Sequence, residues 1–360
     1  MNFLYEIERN QKGYDKALRT GKINFDNITE GIGESFTIIA AEPKIGKTQV
    51  MDNLWILSFY ENNPECDIIW LYYSFEISKE NKIAKFLSYF IKKEFGVRLH
   101  PKYIKGKKLD METGEIIKIE PDHMELIQAM YYKHIVPLFG GKDKEGNEVK
   151  GKILFFESYE NPTGIKNTII NELKKYGKEH KNKVTVHDEI TGKPKDVEVF
   201  SHYEKTKDTK VILLIDTIRD AKNEQKNTLK ANIDLLSSYC KELYKSYKVT
   251  ICATVHLNRC FNDIDNIKFR KDFIHPNNDH LKDSGNPGEG CTMLITLFNP
   301  ADKRYRLSSH FGVLMNKVDK KTYRTLHVIF NRDGEGDKHL GYNMDLMCNT
   351  FEETGILADS

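Results

Sequence analysis

The sequence predicts an α/β domain: a mainly parallel central sheet flanked by helices, antiparallel hairpins at the C-terminal end, and β-hairpin insertions between the second strand and the strand ending at Asp216. Three observations carry this expectation. Five short apolar, partly β-branched runs (FTIIA, DIIWLYY, KILFF, KVILLID and KVTICATV) are spaced widely enough to leave room for helices. Helical patterns fill those intervals, most clearly in LKANIDLLSSYCKELYKSYK, where Ile233, Leu236, Cys240, Leu243 and Tyr247 share one stripe. Strands that alternate with helices pair in parallel and are covered on both faces.

At 360 residues, 39% hydrophobic and 30% charged, the chain has the bulk for one large domain or two modest ones. The stretch to about Asn27 reads as a short amphipathic helix and linker, so the expected layout is an N-terminal element over 1–30, an α/β domain over 31–345 and a tail over 346–360. Insertions fall around 102–150 and 180–210, where LDMETGEIIKIEP, KDKEGNEVKGK and VHDEITGKPKDVEV each place Gly inside a polar, turn-favouring stretch. After the fifth run, TMLITLFNP, SSHFGVLMNK and RTLHVIFN are separated by turn-like segments and predict antiparallel hairpins finishing the sheet.

No run of 18 apolar residues is present to span a bilayer, and the first residues lack the apolar core of a signal peptide. Six cysteines without a C-x-x-C pair argue against a zinc site and a disulfide framework, and for reduced thiols in a cytoplasmic protein. A net charge of +2 leaves any nucleic-acid contact to local clusters. The most basic stretch, Lys92 to Lys108, holds seven cations against Glu94 and reads either as a solvated helix end or as a contact for nucleic acid or an acidic partner.

FTIIA, AEPKIGKT and QVMDNLWILSFY supply a strand, a loop and a helix in the order that a phosphate cradle needs, with loop N–H groups and the helix N-terminus facing the anion. The expected nucleotide-binding residues are Ala41, Glu42, Pro43, Lys44, Ile45, Gly46, Lys47, Thr48 and Gln49. Gly46 permits close approach of the backbone, Lys47 neutralises the β- and γ-phosphates of ATP, and Thr48 offers its hydroxyl to Mg²⁺. The pattern G-x-x-x-x-G-K-[ST] is broken at its first position, Ala41.

DIIWLYY runs into SFE, placing Glu76 at a carboxyl edge of the sheet, where a carboxylate can orient an attacking water; the bland alternative is a cap for the next helix. VILLID ends in Asp216, a second candidate ligand of Mg²⁺. ATVHLNR puts His256 at the end of the fifth run, where it could sense the γ-phosphate or serve only as a structural histidine.

With these pieces in order, the chain resembles the ATPase domain of DnaB-type hexameric replicative helicases, within the RecA-like P-loop superfamily, from about Gly31 to Phe330. AAEPKIGKT is similar to that family's AARPSMGKT-type loop, which also has alanine first. YYSFEIS is similar to its FSLEM segment and carries the catalytic glutamate onto Glu76. LLIDTI carries the magnesium aspartate onto Asp216, and ATVHLNR resembles LSQLNR, so that His256 stands where a glutamine sensor usually sits. HLKDSGNPGEG resembles a DLRESG-containing segment, matching Asp283, Ser284 and Gly285.

The resemblance implies ATP and Mg²⁺ as cofactors, a homo-hexamer or other ring, single-stranded DNA in the ring's channel, and replication proteins as partners. It places DNA contacts in the loop after Arg259, where Lys268, Arg270 and Lys271 are the candidates. The family's large N-terminal collar is expected to be missing, because only about 30 residues precede the core. In MNKVDKKTYR, Lys317 aligns with the family's trans-acting lysine, but Asp319 takes the place of its arginine finger, so Lys317, Lys320, Lys321 and Arg324 are the trans-acting candidates. With a composition rich in Lys, Asn, Ile and Tyr, the expectation is a phage-type system acting in host cytoplasm. The readings left open are a DNA translocase or helicase, and an ATP-switched DNA-binding or loader protein that does not unwind.

Overall fold

All five apolar runs form strands of one sheet in the computed structural model, which describes residues 16–187, 194–224, 227–258, 271–282 and 286–358 together with Leu4, Ile7, Glu8 and Gln11. They are β1 (Phe36–Ala41), β2 (Ile68–Ser74), β3 (Ile153–Phe156), β4 (Lys210–Asp216) and β5 (Thr250–His256). Four more strands follow, β6 (Met293–Phe298), β7 (Tyr323–Asn331), β8 (Lys338–Asp345) and β9 (Thr350–Ile356), giving a nine-stranded sheet of order β9-β8-β7-β6-β1-β5-β4-β2-β3. From β6 to β3 the pairing is parallel; from β6 to β9 it is antiparallel. This is the mainly parallel RecA-like arrangement with antiparallel strands at the C-terminal end that the sequence predicts.

Each parallel strand feeds two cores in alternation, because successive side chains of a strand point to opposite faces. In β2, Ile68, Trp70 and Tyr72 enter one core while Leu71 and Tyr73 enter the other. The first core is covered by α2 (Lys47–Met51), which continues without a break through a π-helical stretch (Asp52–Leu57) to Asn62, and by α3 (Lys79–Phe95). The second is covered by α4 (Pro162–Leu173) and α5 (Leu229–Tyr247), whose buried stripe includes Ile233, Leu236, Cys240, Leu243 and Tyr247 as the spacing requires. The start signals are local: Ser78, Asn161 and Thr228 each accept from a backbone N–H in the first turn, satisfying donors that would otherwise be orphaned.

Several boundaries differ from the sequence expectation. Thr350–Ile356, within the segment expected as a tail, form β9, which pairs along β8 as the edge of the main sheet. Its alternating FEETGI pattern is too short and too acidic to read as a strand without its partner. The SSHFGVLMNK run contributes no strand to the main sheet; Ser309–His310 and Val313–Leu314 form a small separate hairpin. TMLITLFNP becomes β6, which is parallel to β1 and antiparallel only to β7. The first insertion is largely helical, with Pro121–Met130 continuing to Phe139 and a short hairpin joining Gly141–Lys142 to Glu148–Val149. The second begins and ends a few residues earlier than expected, a two-stranded ribbon pairing Gly177–His187 with Pro194–Lys205.

The short helix before β1, α1 (Ile23–Thr29), lacks a side-chain cap of its own. Instead the Glu353 carboxylate of β9 accepts from the backbone N–H groups of Asn24 and Phe25 at 2.9 and 3.1 Å, placing negative charge at the positive helix end. Among the described residues no helix is long and apolar enough to cross a membrane, and Cys66, Cys240, Cys252, Cys291 and Cys348 are free thiols.

Inside the first core lies an ion pair with no solvent exposure on either side chain: Lys82 Nζ is 2.8 Å from Asp52 Oδ2 and donates to the Tyr72 hydroxyl at 2.7 Å. Tyr72 in turn donates to Asp52 Oδ1 at 2.9 Å, so the carboxylate is satisfied from two directions. Burial nonetheless pushes the Asp52 carboxyl above its ordinary range, against the pull of Lys82. Removing the cation leaves that acid buried without compensation, so Lys82→Ala is expected to lose about 3–5 kcal/mol of unfolding free energy. Lys82→Met combined with Asp52→Leu should recover most of the loss; denaturant titration of both variants checks the pair, and equal losses in both would contradict this account.

Candidate nucleotide site

Four parallel strands end at one edge of the sheet because their registers align. Ala41 lies opposite His256, and Ser74 lies opposite Asp216. Ile215 pairs with Ala253, which brings Asp216 beside Thr254 on the next strand. The carboxyl ends of β1, β5, β4 and β2 thus carry the Ala41–Gln49 loop, His256, Asp216 and Glu76 respectively, at the edge where open α/β sheets hold ligands.

The Ala41–Gln49 loop curls between β1 and α2 through left-handed backbone at Lys44 (φ 67°) and Gly46 (φ 116°). At Gly46 the glycine is needed twice: for that φ, and because a Cβ would lie 2.8 Å from Met344 Cε and 3.1 Å from Leu346 Cδ2. Ala41 remains a fully buried residue of β1 with no positive φ, so the broken first position of the motif demands nothing that alanine cannot supply. The turn between β8 and β9 packs on this loop. Gln49 Nε2 donates to the Leu346 carbonyl at 2.6 Å, and Asn53 Nδ2 to the Asn349 carbonyl at 2.7 Å.

Side chains converge on the loop. The Thr48 hydroxyl donates to Asp216 Oδ2 at 2.8 Å, and the Thr254 hydroxyl to Asp216 Oδ1 at 2.8 Å. A hydroxyl and a carboxylate meeting at one point are the hard oxygen donors that magnesium prefers, so the donor set fits that ion. Lys47, itself buried, places Nζ 3.5 Å from His256 Nε2, which lies 3.8 Å from Glu76 Oε1. Backbone reinforces the cluster where Phe75 N–H donates to the Asp216 carbonyl at 3.0 Å.

Charge states follow from these neighbours. Burial first, then the Lys47, Lys282 and Arg219 cations, depress His256 to about 4, so its imidazole is neutral near pH 7. An ammonium can only donate. Nε2 therefore carries the lone pair facing Lys47, and the hydrogen sits on Nδ1, which is buried without a hydrogen-bond partner. Burial raises the Glu76 carboxyl and Lys47 opposes the shift. Glu76 does not cap α3, a role taken by Ser78, so the bland alternative for this residue falls away.

Two contributors carried weaker signals. Thr254 is two residues before His256 on β5, hence on the same face, a relation that strand periodicity could have exposed. Arg304 had no signal: from the segment between β6 and β7 it clamps Glu42 of the loop through Nη1 and Nη2 at 3.2 and 2.9 Å, and Tyr305 donates to the same carboxylate at 3.1 Å.

The remaining candidates are dispersed. Lys317, Lys320 and Lys321 are exposed; Lys317 and Asp319 line a separate cleft of about 540 Å³ with Lys92, Asn343 and Asp345, and no residue of the Ala41–Gln49 loop lines it. Arg324 is a correction. It is 6% exposed on β7, donates to the Tyr323 carbonyl, and is held below its ordinary range by burial, so it is not presented to a neighbouring subunit. Lys268 and Arg270, like Asp283, Ser284 and Gly285, lie outside the described residues, and Lys271 opens a single 3₁₀ turn, Lys271–Phe273. The basic stretch is partly neutralised, with Lys93 paired to Glu61 and Arg98 to Asp345.

No family model matches the chain. No curated protein matches it either. Among solved structures, the fold matches a DnaB-like replicative helicase, described with its interactions with primase, at a TM-score of 0.62 and 16% identity over 97% of this chain. It matches a second structure, an ATPase domain, at a TM-score of 0.63 and 16% identity, covering 97% of this chain and 95% of that one. This chain spans 64% of the DnaB-like helicase. At such identity the likeness establishes the fold.

A histidine held at about 4 in the folded chain, against an ordinary 6.5, resists protonation that the unfolded chain accepts. Its contribution to stability is full above pH 6.5 and is lost as pH falls towards 4, by at most roughly 3 kcal/mol. His256→Gln should therefore narrow the gap between unfolding free energies measured at pH 7 and pH 4.5. An unchanged gap would mean that His256 is not buried neutral.

Proposed function

We propose that this chain is a magnesium-dependent, ATP-hydrolysing motor subunit of the DnaB type, forming a ring that translocates on single-stranded DNA in a phage-type replication system. The observation that carries the proposal is the convergence of Lys47, Thr48, Glu76, Asp216 and His256 on one loop at one sheet edge. No single motif would suffice, whereas a buried ammonium, a hydroxyl–carboxylate pair and a half-exposed glutamate together match the needs of phosphoryl transfer to water.

In this reading the backbone N–H groups around Gly46 and the Lys47 ammonium hold the β- and γ-phosphates of ATP. Thr48 and Asp216 hold Mg²⁺, which offsets phosphate charge when bound. Glu76 orients the attacking water and accepts its proton, a role for which a carboxyl raised by burial is better matched than an ordinary one. His256 is a neutral imidazole whose Nε2 faces Lys47 and Glu76; when phosphate draws the Lys47 ammonium away, the imidazole hydrogen shifts to Nε2, which donates to an oxygen at the γ-phosphate position and passes the state of that position outward. The physical route is short: Leu257 bridges Leu281, Asn258 N–H donates to the His280 carbonyl, and Lys282 N–H donates to the His256 carbonyl, so movement of His256 reaches both ends of the 259–281 segment. DNA contacts at Lys268, Arg270 and Lys271, a homo-hexameric ring, and contacts with replication proteins belong to this same proposal.

One observation favours a second reading. Asp319 stands where the resemblance places an arginine finger, and Arg324 is buried, leaving Lys317, Lys320 and Lys321 to complete a neighbouring site. A lysine is a point charge without the bidentate fork of arginine, and a weakly completed site suits an ATP-switched DNA-binding or loading protein that turns over slowly.

Steady-state ATPase rates with and without single-stranded DNA, beside strand displacement and particle imaging, separate the readings. The motor reading expects rings, DNA-stimulated turnover and unwinding; rings that hydrolyse ATP without moving DNA would leave only the second. Glu76→Gln should bind nucleotide normally and lose on the order of 10²–10⁴ in rate. An unchanged rate would remove Glu76 from its role. Lys47→Ala should lose nucleotide binding itself.

A further inference from the structure

Away from the nucleotide edge, three histidines meet at the antiparallel end of the fold. His327 on β7 and His339 on β8 are directly paired across the hairpin, and both are buried. His275 joins them from the segment that leads back to Leu281 and the nucleotide edge, its ring stacked on His327 with centroids 5.0 Å apart. One ring nitrogen from each lies within 4.8 Å of the others, and among the described residues this is the sole His, Cys, Asp or Glu cluster of that kind.

We propose that His275, His327 and His339 bind one divalent transition-metal ion of the zinc class. The case rests on what the opposite ring nitrogens do. Nδ1 of His275 lies 3.0 Å from the Phe273 carbonyl, Nε2 of His327 lies 2.9 Å from the Thr325 hydroxyl, and Nε2 of His339 lies 3.8 Å from the Asp337 carboxylate. Metal-ligating histidines turn their second nitrogen to such an oxygen, which selects the tautomer that offers the lone pair inward. Here that assigns Nε2 of His275 and Nδ1 of His327 as ligand atoms, and the facing Nδ1 of His339, which meets Nδ1 of His327 across the hairpin, is the third. The last two are 2.9 Å apart. Two nitrogens bound tetrahedrally at zinc distances stand about 3.3 Å apart, so the hairpin need open by only a few tenths of an ångström.

The proton balance closes. Without metal, one hydrogen is shared between the two facing Nδ1 atoms, and the Thr325 hydroxyl donates to Nε2 of His327. With metal, that hydrogen moves to Nε2 of His327 and the same hydroxyl turns to accept it, so all three rings enter neutral and no proton is stranded. A fourth ligand from water would complete the tetrahedron. Imidazole is a borderline donor that suits Zn²⁺, Co²⁺, Ni²⁺ or Cu²⁺ and not Mg²⁺, so this site and the Thr48–Asp216 pair select different ions. The cysteine pattern could not reveal it, because none of its ligands is a cysteine. Bound metal would staple the His275 segment to the β7–β8 hairpin and so fix one end of the 259–281 segment.

The test uses the full-length, tag-free chain stripped with chelator, then titrated with Zn²⁺ or Co²⁺ by calorimetry and visible absorption. One equivalent per chain, tetrahedral cobalt bands and a raised thermal midpoint are expected. His275→Ala, a substitution at the least buried of the three, should weaken binding by at least 100-fold while leaving the far-ultraviolet circular dichroism unchanged. Thr325→Val should weaken it by about 10–100-fold, as loss of an outer partner does. Absence of saturable binding, binding that survives His275→Ala, or octahedral cobalt bands would each overturn the proposal.

Discussion

The Asp216 carboxylate is shared between two hydroxyls, Thr48 on the helix after the Ala41–Gln49 loop bonding one oxygen and Thr254 on β5 the other. Its residue is fully buried, so both oxygens must find donors inside the protein. That requirement locks the start of α2 to the ends of β4 and β5. Parallel register then aligns the strand ends at this edge, with Ser74 opposite Asp216 and Ala41 opposite His256, and so sets the backbone from which Glu76 and Lys47 extend. A slip of one residue in either ladder would turn Asp216 or His256 to the opposite face.

The loop also depends on residues nearly three hundred positions away. Gln49, Asn53 and Gly46 are all held by the turn between β8 and β9, so the antiparallel end of the sheet forms part of the wall of the candidate site. The same end is fastened to α1 by Glu353, which also accepts from the Tyr342 hydroxyl at 3.0 Å. The helix before β1 and the last two strands are therefore joined through one carboxylate, at the end of the sheet that packs on the Ala41–Gln49 loop.

Substituting histidine where the resembling family has a glutamine keeps the ability to donate a hydrogen bond only if the ring stays neutral. Burial and three nearby cations ensure that, and Nε2 is the nitrogen that faces Lys47 and Glu76. Asp319 differs in kind: it is exposed in a cleft that shares no residue with the Ala41–Gln49 loop, and an acid cannot replace a guanidinium beside developing negative charge.

Local pattern was enough for the alternating strands and helices, the loop from Ala41 to Gln49, and the strand-end positions of Glu76, Asp216 and His256, because each is written in a run of fewer than ten residues with its own periodicity or turn chemistry. What the tertiary structure alone decided involves residues far apart in the chain. β9 became visible only against β8, the Arg304 clamp on Glu42 only across 262 residues, and the burial of Arg324 only once β7 was seen between two neighbours. The three histidines lie at unremarkable spacings in the sequence and become a cluster because antiparallel register sets His327 against His339. Periodicity reports which way a side chain faces; only the pairing of distant segments determines what it faces.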